Sequence, residues 1–469
     1  MSSNQNLKEY NKMDSKKNQT SAVSMTEGSL WKNIFLFSCP LIFSQLLEVM
    51  FNLSDVAVVG RFADYRALGS VGSTSLLVTL FTGFLIGMGA GVNVRVAHGL
   101  GAGNQKETEE TIHSSFLICL VTGLLICVVG LTSSRAFLVL LHTKDELMEG
   151  AVNYLQIYSL GMPAMGLYNF GNGVMSARGD TKRPLVYLLI AGVLNVIMNL
   201  IFVIGLHMAA EGVAIASVMA QYTSAGLVLH HLWRRRDVCR LQLRKVCFHR
   251  MAGKAVLMLG IPGGLQQAIF AIANLFVQAG VNSFDAVTVS GNAAAANTDP
   301  LVYNSMFAFY TACASFMSRN LGAGKKERVL KSYFICLTYA FSIGAVLGGC
   351  FFLFGDGFLS LFATEPAVIH AGKERLSIMA FSYAISAFMD CSIAASRGIG
   401  KSVAPTVIVI LGSCVFRVIW VFTIFAHFHT LTSLYLLYAF SWIITGAAEV
   451  AYFWRSYRKI AILKFKSCS

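Results

Sequence analysis

Long apolar runs separated by short polar breaks dominate the chain. They fall at 33–59, 68–91, 112–132, 150–176, 184–206, 211–232, 254–280, 287–317, 332–354, 376–395, 404–426 and 431–454. A bilayer-spanning helix uses about 20 apolar residues, so each run is long enough to cross once. The pattern predicts an all-α polytopic membrane protein with twelve transmembrane helices. The connections between runs are too short for a large aqueous domain.

Composition supports this. Of 469 residues, 55% are hydrophobic and 13% charged, against about 25% charged in a soluble domain, which excludes a soluble globular protein. The 37 Lys and Arg exceed the 23 Asp and Glu by 14, a balance that in a soluble chain would suggest nucleic acid. The placement of the charges points to a membrane instead. Thirty basic residues lie on the side of the N-terminus, and six lie opposite: Arg61, Arg66, Arg135, Lys144, Lys373 and Arg375. Basic residues are retained on the cytoplasmic side during insertion. The asymmetry predicts a multi-pass protein of the cell (cytoplasmic) membrane with both termini in the cytoplasm, surrounded by lipid bilayer and without nucleic acid as a partner.

Residues 1–30 are polar, carry Lys8, Lys12, Lys16 and Lys17, and lack the apolar core of a signal peptide; they predict a disordered cytoplasmic tail. The 11 cysteines are scattered without a CxxC pair, as expected of reduced, buried thiols. Cys239, Cys247 and His249 share a basic loop, but their spacing fits no common zinc template.

Several short patterns recur at a nearly constant offset. Pro40, Gln45 and Asn52 recur 222 residues later as Pro262, Gln267 and Asn274, and Leu100-Gly101-Ala102-Gly103 recurs as Leu321-Gly322-Ala323-Gly324. Arg178-Gly179 with Lys182 and Pro184 recurs as Arg397-Gly398 with Lys401 and Pro405. Each copy holds six runs, so the chain returns to its starting side and the copies are parallel. The predicted organisation is a first lobe over 31–232 (helices 1–6), a basic cytoplasmic linker over 233–253, a second lobe over 254–454 (helices 7–12) and a basic cytoplasmic C-terminal tail over 455–469. Two parallel six-helix bundles enclose a cavity between them and suit alternating access.

The strongest chemical signal is in the first run. Gln45, Glu48, Asn52 and Asp55 are spaced by 3, 4 and 3, which puts them on one helical face. A charge at mid-bilayer costs about 2.5 to 3.5 kcal/mol on the insertion scale, so two carboxylates on one stripe are expected to face a protein-lined cavity. Such a pair can exchange a proton or sodium ion for a cationic substrate. The alternative places Asp55 among the headgroups and Glu48 in a structural hydrogen bond. The seventh run repeats the stripe as Gln267, Asn274 and Gln278, with Phe270 matching Glu48 and no carboxylate. Asn195, Asn199, Asp299, Asp390 and Arg417 are further polar residues at membrane depth; Asp390 and Arg417 either pair with each other or line a pathway. Pro40, Pro163 and Pro262 lie inside runs and permit bends.

No nucleotide-binding GxxxxGK[ST], HExxH or nucleophile elbow is present. The expectation is therefore a protein that is not an enzyme, holds no cofactor, and draws energy from an ion gradient rather than ATP.

Thr26-Glu27-Gly28-Ser29-Leu30-Trp31-Lys32, Pro40, Asn52-x-x-Asp55-x-x-x-x-Gly60-Arg61 and Ala67-Leu68-x-x-Val71-Gly72, with the two LGAG turns and Arg178-Gly179-Asp180-Thr181-Lys182, resemble the multidrug and toxic compound extrusion (MATE) family, particularly its bacterial branch. The resemblance runs from about residue 26 to 455. It implies twelve helices in two lobes and an antiporter that exports amphipathic organic cations in exchange for H+ or Na+. Asp55 matches the acidic residue of the family's first helix implicated in coupling. Glu48 stands where related sequences usually have Gln, and the acid some members carry in the seventh helix is missing here. The expected ion-coupling residues are Asp55 and Glu48. The expected polar cavity or substrate residues are Gln45, Asn52, Asn195, Gln267, Asn274, Gln278, Asp390 and Arg417, in a monomer. The alternative within the same superfamily is a flippase for a lipid-linked precursor.

Overall fold

A computed structural model describes residues 22–465, with side chains described to residue 460. Most of the expected N-terminal tail and residues 466–469 lie outside the described residues. Twelve helical passes follow in order: α1 (Leu30–Phe62), α2 (Tyr65–Gly101), α3 (Gln105–Leu140), α4 (Asp145–Ser159) with α5 (Met162–Ala177), α6 (Lys182–Gly205), α7 (Ala210–Arg234), α8 (Arg250–Val281), α9 (Ala286–Ala296) with α10 (Thr298–Gly322), α11 (Lys326–Leu353), α12 (Pro366–Gly398), α13 (Val403–Phe428) and α14 (Leu431–Phe465). Ten of these passes are single helices long and apolar enough to cross a bilayer.

The fourth and eighth passes are broken, where uninterrupted spans were expected. Proline explains both breaks. Its ring clashes with the carbonyl four residues earlier and it has no N–H to donate. Pro163 acts on Ser159, where α4 ends, and Pro300 acts on Ala296, where α9 ends. Pro40 and Pro262 are instead absorbed within continuous helices. The eleventh pass contains two π-helical turns, Ile410–Val415 and Val421–Phe425, on either side of Arg417.

The first and last described segments lie at one end of the bundle. Arg328 Nη1 donates to the Gly28 carbonyl at 2.9 Å, and Tyr457 Oη donates to the Lys326 carbonyl at 3.4 Å. This end is called the termini face below. The segment before α1 is tied down rather than free: Val23 N donates to Gly179 O at 2.9 Å, and Asn320 Nδ2 donates to Met25 O at 3.0 Å. Likewise α14 continues helically to Phe465, through part of the expected C-terminal tail. Arg375, expected in a loop, is buried inside α12, where its Nη2 donates to Asp299 Oδ2 at 2.6 Å. The helix extends beyond its apolar run because that ion pair permits burial of its outer turns.

The lobes meet along α2 and α8 through glycine. A Cβ on Gly87 would lie 2.3 Å from the Gly264 nitrogen, and one on Gly91 would lie 2.7 Å from the Gly260 nitrogen, so only hydrogen fits at this crossing. The two LGAG turns also pack on each other: a Cβ on Gly101 would strike the Arg319 carbonyl at 2.0 Å, and one on Gly322 the His98 carbonyl at 2.2 Å. Gly103 (φ 67°) and Gly324 (φ 71°) end these helices in the left-handed region that glycine tolerates. Polar contacts between the lobes join the same half of the molecule, including Asn93 Nδ2 to Ser315 Oγ at 2.8 Å and Ser318 Oγ to Val94 O at 2.7 Å. The seam is thus closed toward the termini face.

Candidate functional site

A cavity of about 450 Å³ lies within the first lobe, walled by α1, α2, α4 to α7. Asp55, from the outer half of α1, is its chemical centre. Asn199 Nδ2 donates to Asp55 Oδ1 at 2.5 Å, and Ser217 Oγ donates to Oδ2 at 3.3 Å. Asn195 and Asn199 are one turn apart on α6 and so share a face. Asn199 also donates to Asn195 Oδ1 at 3.4 Å, and Asn195 to Ser217 Oγ at 3.4 Å. Asn199 is fully buried, and its Oδ1 has no hydrogen-bond partner. Three neutral side chains therefore hold Asp55, and among the described residues it forms no ion pair.

That arrangement has a chemical consequence. A carboxylate surrounded by protein but lacking a basic partner carries an uncompensated charge, which a proton or an alkali cation can neutralise. The acid, amide and hydroxyl oxygens around it are hard donors of the kind alkali and alkaline-earth ions take. Tyr154 and Tyr158 stack at 5.9 Å beside this cluster, and with Phe51, Met165 and Tyr168 they give the cavity an aromatic and apolar wall.

Of the residues expected from sequence, Glu48, Asn52, Asp55 and Asn195 line this cavity. Gln45 does not line it, although it lies on the same α1 stripe. The second-lobe residues are elsewhere. Gln267 packs against Gly83 at the lobe seam, and Gln278 donates to Asn282 Oδ1 at 2.9 Å on an exposed surface. Asn274 accepts from Arg417 Nη1 at 3.1 Å. Arg417 is buried, donates from Nε to Ser441 Oγ at 3.4 Å, and lies 5.6, 4.6 and 5.8 Å from the ring centres of Phe270, Tyr438 and Trp442. Asp390 is half-buried on α12, and no ion pair joins it to Arg417.

Sequence reasoning did not single out Ser217, Tyr154, Tyr158 or Gln221. A lone serine or tyrosine is unremarkable in a membrane helix, although the Tyr154/Tyr158 spacing of one turn was a readable signal. Glu449, an acid in the twelfth run outside the expected set, is fully buried and neither carboxyl oxygen has a hydrogen-bond partner. In the linker, burial pushes the Cys239 thiol up to about 12, so it is not a thiolate at neutral pH. Cys247 Sγ lies 3.0 Å from His249 Nε2.

The model of the MatE family matches residues 40–201 and 262–423, one match in each lobe. Probable multidrug resistance protein YpnP of Bacillus subtilis is 27% identical over 77% of this chain and 81% of its own length. Probable multidrug resistance protein NorM of Thermotoga maritima is 22% identical over 80% of this chain and 82% of its own. A solved MOP superfamily transporter from Pyrococcus furiosus superimposes with a TM-score of 0.87 at 21% identity, covering 94% of this chain and 98% of that one.

Proposed function

The chain belongs to the MatE family of membrane transporters, which are not enzymes, and from that premise we propose that it is a multidrug efflux antiporter of the cell membrane. Amphipathic organic cations leave in exchange for H+ or Na+, with Asp55 taking up the incoming ion and Glu48 modulating it. The observation that carries this reading is the cluster around Asp55. An acid in a cavity, held by neutral donors and facing aromatic side chains, has chemistry suited to an inorganic ion and an organic cation in turn. Ion loading removes the negative charge that attracts cargo, so the two ligands compete.

The 30-to-6 excess of basic residues supports a cytoplasmic termini face. The closed seam then corresponds to the state shut toward the cytoplasm. Alternating access follows if the lobes separate at the glycine crossing and the LGAG turns while closing on the other side. The names of the Bacillus and Thermotoga relatives support export of drugs. The protein works as a monomer, because the Asp55 cluster is complete within one chain.

The test is ethidium accumulation in cells lacking their own efflux pumps. Expression lowers accumulation while an ion gradient persists and has no effect once an ionophore collapses it. Unchanged accumulation with the gradient intact contradicts drug export and favours the flippase reading.

A further inference from the structure

A second cavity, about 320 Å³, lies at the termini face on the seam between lobes. Arg95 and His98 of α2 form its first-lobe wall, while Leu259, Ser318 and Lys401 belong to its second-lobe wall. No Asp or Glu lines it. Arg95 is bridged to Glu107, which also accepts from Asn104 Nδ2 at 3.0 Å, so that acid is already engaged. Arg95 Nε is shut from water without an acceptor. Lys401 is exposed, and among the described residues its ammonium forms no ion pair.

The internal repeat shows that this space is a feature of the fold. Aligned on the positive-φ turn glycines, Gly179 and Gly400, Lys401 takes the place of Asp180, whereas the sequence pattern alone matches Lys401 to Lys182. Gly179 and Gly400 both have positive φ, at 94° and 84°. Thr181 Oγ1 donates to Phe37 O at 2.9 Å, and Ser402 Oγ donates to Leu259 O at 3.1 Å in the corresponding place. Beside the first turn the space is filled by the segment before α1: a Cβ on Gly179 would meet the Val23 carbonyl oxygen at 2.3 Å. Beside the second, nothing lies within 4 Å of a Cβ built on Gly400. The charge is reversed as well. Asp180 is buried and paired with Arg183 at 2.6 Å, whereas Lys401 stands in its place, exposed.

We propose that this slot binds a phosphoryl anion, held between the Lys401 ammonium and the Arg95 guanidinium. A planar guanidinium and a mobile ammonium on opposite walls suit an oxyanion whose oxygens point in several directions. Because the walls belong to different lobes, the bound anion stabilises the arrangement in which this face is closed. Recognition rests on charge and space at the seam, independently of what the first-lobe cavity carries.

The phosphoryl group has two possible sources, a soluble phosphate and an anionic lipid headgroup. The full chain is placed in nanodiscs, and its thermal unfolding is followed in two arms. One uses phosphatidylcholine discs titrated with inorganic phosphate against chloride at matched ionic strength. The other uses phosphate-free discs doped with phosphatidylglycerol. Stabilisation in the first arm identifies a soluble ligand, and stabilisation in the second alone identifies a headgroup. In either case Lys401→Glu weakens apparent affinity about tenfold or more, the scale of one charge-assisted contact, and Lys401→Arg retains it. Both variants melt like the wild type without the anion, since Lys401 is exposed and forms no ion pair among the described residues. No stabilisation in either arm, or equal stabilisation of Lys401→Glu, overturns the proposal.

Discussion

The two lobes share one repeat, yet carboxylates stand on α1 where the matching face of α8 is uncharged and packs against Arg417. In the first lobe α1 contributes Glu48 and Asp55; 222 residues on, α8 has Phe270 and Val277. The first interior is a cavity around a carboxylate with no basic partner. The second holds Arg417, boxed by Phe270, Tyr438 and Trp442 and hydrogen-bonded to Asn274 and Ser441. A tethered cation thus occupies the aromatic box that a free cation would use, an interaction worth about 2 kcal/mol when desolvated. Duplication has preserved the helical frame while two substitutions on one face and one arginine reassigned its chemistry. In the proposed antiport, exchange of ion for cargo is assigned to the first lobe, and the second provides a fixed wall.

The comparison can be broken most directly at Asp55. Asp55→Asn leaves Asn199 and Ser217 with a polar partner of the same shape, so the protein folds and inserts; ethidium efflux from cells falls to background. Arg417→Ala removes a buried cation and strands Asn274 and three aromatic faces. We expect a loss of about 3 kcal/mol in stability, read by thermal unfolding in detergent, with ion-coupled transport retained in the protein that remains folded. Loss of coupling in folded Arg417→Ala would mean that the second lobe takes part in the exchange. Glu48→Gln removes the second acid without changing its shape. Apparent ethidium affinity weakens roughly 2- to 10-fold, the range of one polar contact, and gradient dependence persists in vesicle uptake assays. Phe270→Glu sharpens the contrast with the smallest effect: the new carboxylate meets Arg417, stability changes by about 1 kcal/mol or less because pairing offsets desolvation, and the number of ions exchanged per ethidium is unchanged.

Much of this was legible in the residue pattern because bilayer physics is coarse. An apolar run of sufficient length must be helical, since lipid offers no other partner for its backbone. Twelve runs, the repeat and the shared face of Glu48, Asn52 and Asp55 follow from length and spacing alone. The broken fourth and eighth passes were not recognised, although Pro163 and Pro300 mark them. Composition does not distinguish a proline that a helix absorbs, such as Pro40, from one that ends it. The charge count places Arg375 in a loop with Lys373, and only its contact with Asp299 explains its burial. The partners of Asp55 were half visible: the asparagines stand out in an apolar helix, while Ser217 gains meaning only when α7 brings it to the carboxylate.

Direct ion flux in proteoliposomes tests the central claim most sharply. Vesicles holding wild type or Asp55→Asn receive ethidium while proton and sodium movements are recorded separately. The account predicts ethidium-dependent counterflow of one ion through the wild type and none through the variant at equal reconstitution. Equal counterflow through Asp55→Asn would contradict it.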